Sequence, residues 1–144
     1  MHPFPHRYAV NATVRPDGDV PLAMDGVRII ESAPPKEFDG PGNQWSPEGL
    51  LTAAVADCFV LSFRAIATAS KYAWLSLESR TEGTLDRIDG KMCFTKFTTH
   101  ARLQVAAGSD IERAKRLLEK AESMCLVANS LNSERHLTVE VATA

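Results

Sequence analysis

A chain of 144 residues, 44% hydrophobic and 24% charged, is long enough to bury a core of its own and reads as one soluble globular domain over residues 1–144. Sixteen basic against eighteen acidic residues leave a formal net charge of −2, which excludes the electrostatic footprint of a nucleic-acid binder or of a protein held on an anionic membrane. The opening residues MHPFPHRYAV lack the basic and apolar runs of an export signal, and an odd number of cysteines, three, fits a reducing cytoplasm better than a disulfide framework.

Residues 7–14, RYAVNATV, alternate, with Tyr8, Val10, Ala12 and Val14 on one face of an expected half-buried strand. The run Arg15-Pro16-Asp17-Gly18-Asp19 is a turn, a weak strand follows near Val20–Met24, and Asp25-Gly26 signals a hairpin into Val27–Glu31. Pro34, Pro35, Gly40, Pro41 and Gly42 make residues 32–43 a loop with no helix or inner strand. It leads into SPEGLLTAAVADCFVLSFRAIATAS, residues 46–70, the longest apolar segment. Ser46 suits the cap, Pro47 the first helical position, and Glu48 the positive end of the helix dipole. From Leu50 to Ala67 nearly every face is apolar, which predicts a helix buried all round. Asp57 and Arg64 argue against a membrane span.

Trp74–Gly83 reads as a strand with Leu75, Leu77, Ser79 and Thr81 on one face, and Asp89-Gly90 as a turn. Residues 91–106 form a long strand with Phe97, Thr99, Ala101, Leu103 and Val105 on one face, and the apolar phase shifts between Phe94 and Phe97 as at a bulge. Ser109-Asp110-Ile111-Glu112 is a capping box for a second helix whose apolar face is Ile111, Ala114, Leu117, Leu118 and Ala121. A short helix over Cys125–Leu131 and a last strand through Leu137, Val139 and Val141 complete an α+β order. A single sheet of about seven short strands covers only one face of the central helix, so a dimer that buries the rest is expected.

Cys58 lies mid-helix among apolar residues, where a small buried hydrophobe is the competing reading. Cys125 begins a helix, where partial positive charge favours a thiolate, and Cys93 lies in a strand with no partner in sequence. Cys58, Cys93 and Cys125, with His2, His6, His100 and His136, match no zinc spacing, so no metal and no cofactor are expected.

These residues carry a resemblance. SPEGLLTAAVADCF resembles the helix segment of the OsmC/Ohr family (osmotically inducible protein C and organic hydroperoxide resistance protein), which has an N-P-E-x-L stretch and a small-residue run ending A-C-F. AESMCLVANSLN is similar to the family's second motif, in which a cysteine starts a helix, and the likeness covers roughly residues 8–142. It implies an α+β OsmC/Ohr-like fold, antiparallel sheets around a long buried central helix, and an intertwined homodimer. It implies a cysteine peroxidase that reduces organic hydroperoxides without haem or metal, with Cys58 peroxidatic, Cys125 resolving, and an external dithiol restoring both. It also implies an arginine held by Glu48 beside the thiolate; Arg15 is the best match and Arg28 the competitor. Ten helical residues span about 15 Å, so Glu48 would act through that arginine, across a bend or from a partner subunit. Leu126 and Val127 after the second cysteine, and Asp57 before the first, depart from the common pattern and point to a divergent OsmC-like branch. The roughly 100° between adjacent helical residues leaves room for Asp57 to face away from Cys58. Two other readings stand beside the peroxidase: a non-catalytic dimer binding a small apolar ligand near Trp45, Phe59 and Phe63, and a slow redox sensor.

Overall fold

In the computed structural model, which describes residues 1–144, the strands number six and form two separate three-stranded sheets, not the single sheet of about seven. The chain packs as two units, Met1–Leu50 and Leu51–Ala144.

In the first unit β1 (Asn11–Ala12), β2 (Val20–Ala23) and β3 (Ile30–Ser32) pair antiparallel in that order. The strand expected over residues 7–14 shrinks to two residues. Its partner β2 carries Pro21, which has no N–H to give, so the ladder fades there. Tyr8, Val10 and Val14 stay exposed. β3 starts at Ile30 and not at Val27, because Val27 closes the Asp25-Gly26 turn by donating to the Met24 carbonyl at 3.2 Å. The expected loop holds one 3-10 turn, Lys36–Phe38, and then returns to β3, where the Ala33 N–H donates to the Trp45 carbonyl at 2.8 Å. Ser46 caps α1 (Pro47–Ala69) as expected, its Oγ accepting from the Gly49 N–H at 3.0 Å.

In the second unit α1 buries one stripe: Val55, Phe59, Phe63, Ile66 and Ala67. The expectation of burial all round fails within one chain, since Leu61 remains 44% exposed. By length and hydropathy alone α1 could cross a membrane, but this stripe is packed into a protein core.

β4 (Ser76–Ile88) and β5 (Lys91–Val105) form a long antiparallel hairpin closed by Asp89-Gly90, with β4 running past the expected end at Gly83. Thr84 pairs with Lys96 and Leu85 with Phe94, which leaves Thr95 as the extra residue of the bulge read between Phe94 and Phe97. Phe97, Thr99, Ala101, Leu103 and Val105 all face inward and are buried, as their alternation predicts.

β6 (Glu134–Thr143) pairs with β5 in parallel, so antiparallel pairing holds for every other strand pair but not for this one. The cause is the crossover between them, which carries α2 (Ile111–Ser123) and α3 (Leu126–Asn129) back along the sheet. The cap of α2 is Asp110 and not Ser109. The Ser109 N–H is spent on the turn to Ala106, and the Asp110 carboxylate accepts from the Arg113 N–H at 3.0 Å. Ala114, Leu117, Leu118 and Ala121 of α2 join Phe59, Phe63, Leu103 and Val105 in one core. The Tyr72 hydroxyl donates to the Asp110 carbonyl at 2.9 Å, fixing the end of α1 to the start of α2.

The helix approaches the sheet at Gly83, where an added Cβ would lie 2.8 Å from the Phe97 ring, 3.0 Å from the Phe94 ring and 3.0 Å from Thr52 Oγ1. Phe94 and Phe97 are themselves stacked at 5.1 Å, so neither ring is free to retreat. Gly83→Ala is expected to destabilise the protein by about 1–3 kcal/mol through overpacking, read as a lower urea midpoint with an unchanged slope.

Candidate functional site

Cys58 stands at the border of the buried stripe of α1, half-buried, between Val55 and Phe59 on the core side and Ala54, Leu61, Ser62 and Ala65 on the open side. Those four, with Asp57, Leu126 and Val127, line a groove of about 450 Å³ onto which Cys58 opens. Five of the lining residues are apolar: Ala54, Leu61, Ala65, Leu126 and Val127. Asp57 borders the groove too, but almost no polar surface lines it and the residue is exposed, which leaves its carboxylate to solvent.

Cys125 reaches the same place from the crossover. It occupies the cap position of α3, with extended backbone, and is fully buried. Its thiol lies 4.0 Å from the Val55 carbonyl, toward which it points as a donor, and within hydrogen-bonding reach of Cys58. Burial above all pushes the Cys125 thiol up to about 11, against the opposing pull of the Ala128 N–H and with smaller additions from the neighbouring Cys58 and Glu122. Cys125 is thus a protonated thiol at neutral pH, in spite of the helix start that suggests a thiolate in sequence. Its ordinary value is 9.0, so folding stability is untouched below that pH and declines as pH climbs from there toward 11.

What holds Cys125 in place is a cluster that no sequence pattern indicates. Arg135, the second residue of β6, donates from Nε to the Glu122 carboxylate at 2.8 Å, from Nη2 to the Glu122 carbonyl, and from Nη1 to Asn129 Oδ1 at 2.6 Å. Asn129 in turn donates from Nδ2 to the Ser123 carbonyl at 3.2 Å. One guanidinium therefore ties the end of α2 to the end of α3, on both sides of the cysteine. Asn129 lies in the second motif, but its partners come from other elements and are invisible to local spacing.

Glu48 is in the first turn of α1, half-buried; Arg15 is exposed in the connection from β1 to β2, and Arg28 is exposed before β3. All three belong to the first unit, whereas Cys58 and Cys125 belong to the second. Cys93 is exposed on β5 opposite Asp86, near the hairpin turn. Phe59 and Phe63 are fully buried core residues, while Trp45 borders a surface groove of the first unit.

Residues 40–141 match the model of the OsmC-like protein family. The uncharacterised protein YmaD of Bacillus subtilis is 27% identical over 127 residues, covering 86% of this chain and 85% of its own. An OsmC-like protein of unknown function from Vibrio cholerae superposes with a TM-score of 0.85 at 18% identity, covering 94% of this chain and 99% of its own. An organic hydroperoxide resistance protein, OsmC, from Legionella pneumophila gives 0.74 at 25% identity, covering 95% and 97%.

Two measurements follow from the geometry. With a thiol near 11, only about 0.1% of Cys125 is thiolate at pH 8, so alkylation followed by peptide mass spectrometry should modify Cys93 and Cys58 first, with the Cys125 rate rising about tenfold per pH unit. Arg135→Met should cost about 1–3 kcal/mol in urea unfolding, because it strands the half-buried Glu122 carboxylate, and should speed Cys125 alkylation at fixed pH.

Proposed function

This chain belongs to the OsmC-like family, and we propose that it is a cysteine-based peroxidase that reduces organic hydroperoxides. The observation that carries the reading is the meeting of two thiols from distant parts of the chain, Cys58 on an apolar groove and the fully buried Cys125. In this reading the Cys58 thiolate attacks the terminal oxygen of the hydroperoxide, the O–O bond breaks, and the alkoxide leaves and takes up a proton to give the alcohol. The sulfur is oxidised to sulfenic acid. Cys125 then attacks the sulfenic sulfur, an S–S bond forms and water departs, and an external dithiol reduces the disulfide while being oxidised itself.

The raised Cys125 thiol suits this order. It stays protonated while Cys58 is the nucleophile, and oxidation of Cys58 removes one of the charges that hold its proton on. The apolar wall suits the organic part of the substrate and keeps water from competing. Glu48 would hold Arg15, or alternatively Arg28, as the cation that stabilises the thiolate and the departing alkoxide. The half-exposed apolar side of α1, with Leu61 open, supports a homodimer, and three unpaired cysteines support a cytoplasmic setting.

One equivalent of cumene hydroperoxide added to the reduced protein should consume two thiols and yield a Cys58–Cys125 disulfide. Cys58→Ser should abolish the reaction, and Cys125→Ser should stop at a sulfenic acid trapped by dimedone. Persistence of both thiols would overturn the peroxidase and leave a non-catalytic binding protein.

A further inference from the structure

No cation lines the groove onto which Cys58 opens; its walls are apolar apart from Ser62, and the Asp57 carboxylate is left to solvent. An anion against an apolar wall is costly unless a donor reaches it. The fully buried thiol of Cys125 is such a donor. Its Sγ lies 4.0 Å from the Val55 carbonyl. Cys58 is three residues beyond Val55 on α1, and a helical side chain leans back over the turn before it, so the Cys58 side chain lies over that same carbonyl. Leu126 and Val127, which follow Cys125, line the groove together with Cys58. The two thiols are thus within hydrogen-bonding reach of each other. The Val55 carbonyl is a weak hold on the Cys125 proton, because it already accepts from the Phe59 N–H in the ladder of α1 and the contact is long. Burial keeps water from competing for that proton.

We propose that the Cys125 S–H turns from the Val55 carbonyl to the Cys58 sulfur once that sulfur ionises, and that this hydrogen bond holds the thiolate in the groove. Cys125 then takes part in the first step of the reaction as well as in closing the disulfide. Its proton stays on its own sulfur throughout, so no bond breaks and nothing is oxidised until a peroxide arrives. A hydrogen bond to an ionised acceptor is roughly twice as strong as one to a neutral acceptor, which is why the proton changes partner on ionisation. The proposal deepens the peroxidase reading and rests on it for what the thiolate does, while the hydrogen bond itself needs only the two thiols. One net hydrogen bond changes the ionised fraction of Cys58 at neutral pH by about two- to tenfold.

The test reads Cys58 alkylation by iodoacetamide, which needs no peroxidase activity, by peptide mass spectrometry in a Cys93→Ser background. The quantity is the rate at neutral pH divided by the limiting rate at high pH. Access to the groove and intrinsic nucleophilicity scale both rates alike and cancel, so a merely structural role of Cys125 leaves this ratio unmoved. In Cys125→Ala the ratio should fall about two- to tenfold, and Cys125→Ser, which keeps a donor, should fall less. Equal ratios in all three proteins overturn the proposal. A fall in Ser62→Ala and not in Cys125→Ala gives the donor role to that hydroxyl and overturns it too. A second measurement keeps both thiols in place. In the Cys93→Ser protein, raising the pH from about 6 to about 9.5 ionises Cys58 and leaves Cys125 protonated, and the remaining S–H infrared stretch should move to lower frequency. A band that stays where it was overturns the proposal. A lowered ratio without consumption of cumene hydroperoxide supports the hydrogen bond while the peroxidase reading falls. Hydroperoxide reduction with an unchanged ratio removes the donor role alone.

Discussion

The contact between the start of α3 and the middle of α1 is the constraint on which the second unit's chemistry depends. It brings the Cys125 thiol against the Val55 carbonyl and Cys58 at a point where the helix passes from core to groove. The position of Cys125 is set by the Arg135 guanidinium, which satisfies the Glu122 carboxylate, the Glu122 carbonyl and the Asn129 amide together. A buried thiol with a raised pKa is inert unless something reactive is brought to it. Here the burial that silences Cys125 also presses it against the one neighbour that could engage it.

Much of the fold was legible because its signal is local. The five buried residues of β5, the four of α2, the cap at Ser46 and the extra residue at Thr95 follow from periodicity and capping chemistry alone. Other features depend on distant partners, and these escaped. The direction of β6 is decided by the crossover, the brevity of β1 by a proline on its partner, and the α2 cap by which of two adjacent side chains meets the Arg113 N–H.

The same division runs through the candidate site. The two cysteines were legible because each sits in a motif, and their meeting is a matter of geometry. The Arg135 cluster was not legible, since its members lie on three elements with no common spacing. The apolar run of α1 carried two meanings at once. Val55, Phe59 and Phe63 serve the core, while Ala54, Leu61 and Ala65 form a wall, and composition does not separate them.

The parallel docking of β6 has a temporal consequence. A crossover strand can pair only after the helices before it have been made, and a nascent chain emerges from its N-terminal side. Both cysteines therefore leave the ribosome ahead of Arg135, the residue that fixes the second of them. During synthesis the thiols exist for a time without their final geometry, and their encounter becomes reproducible only when the last strand zips onto its neighbour.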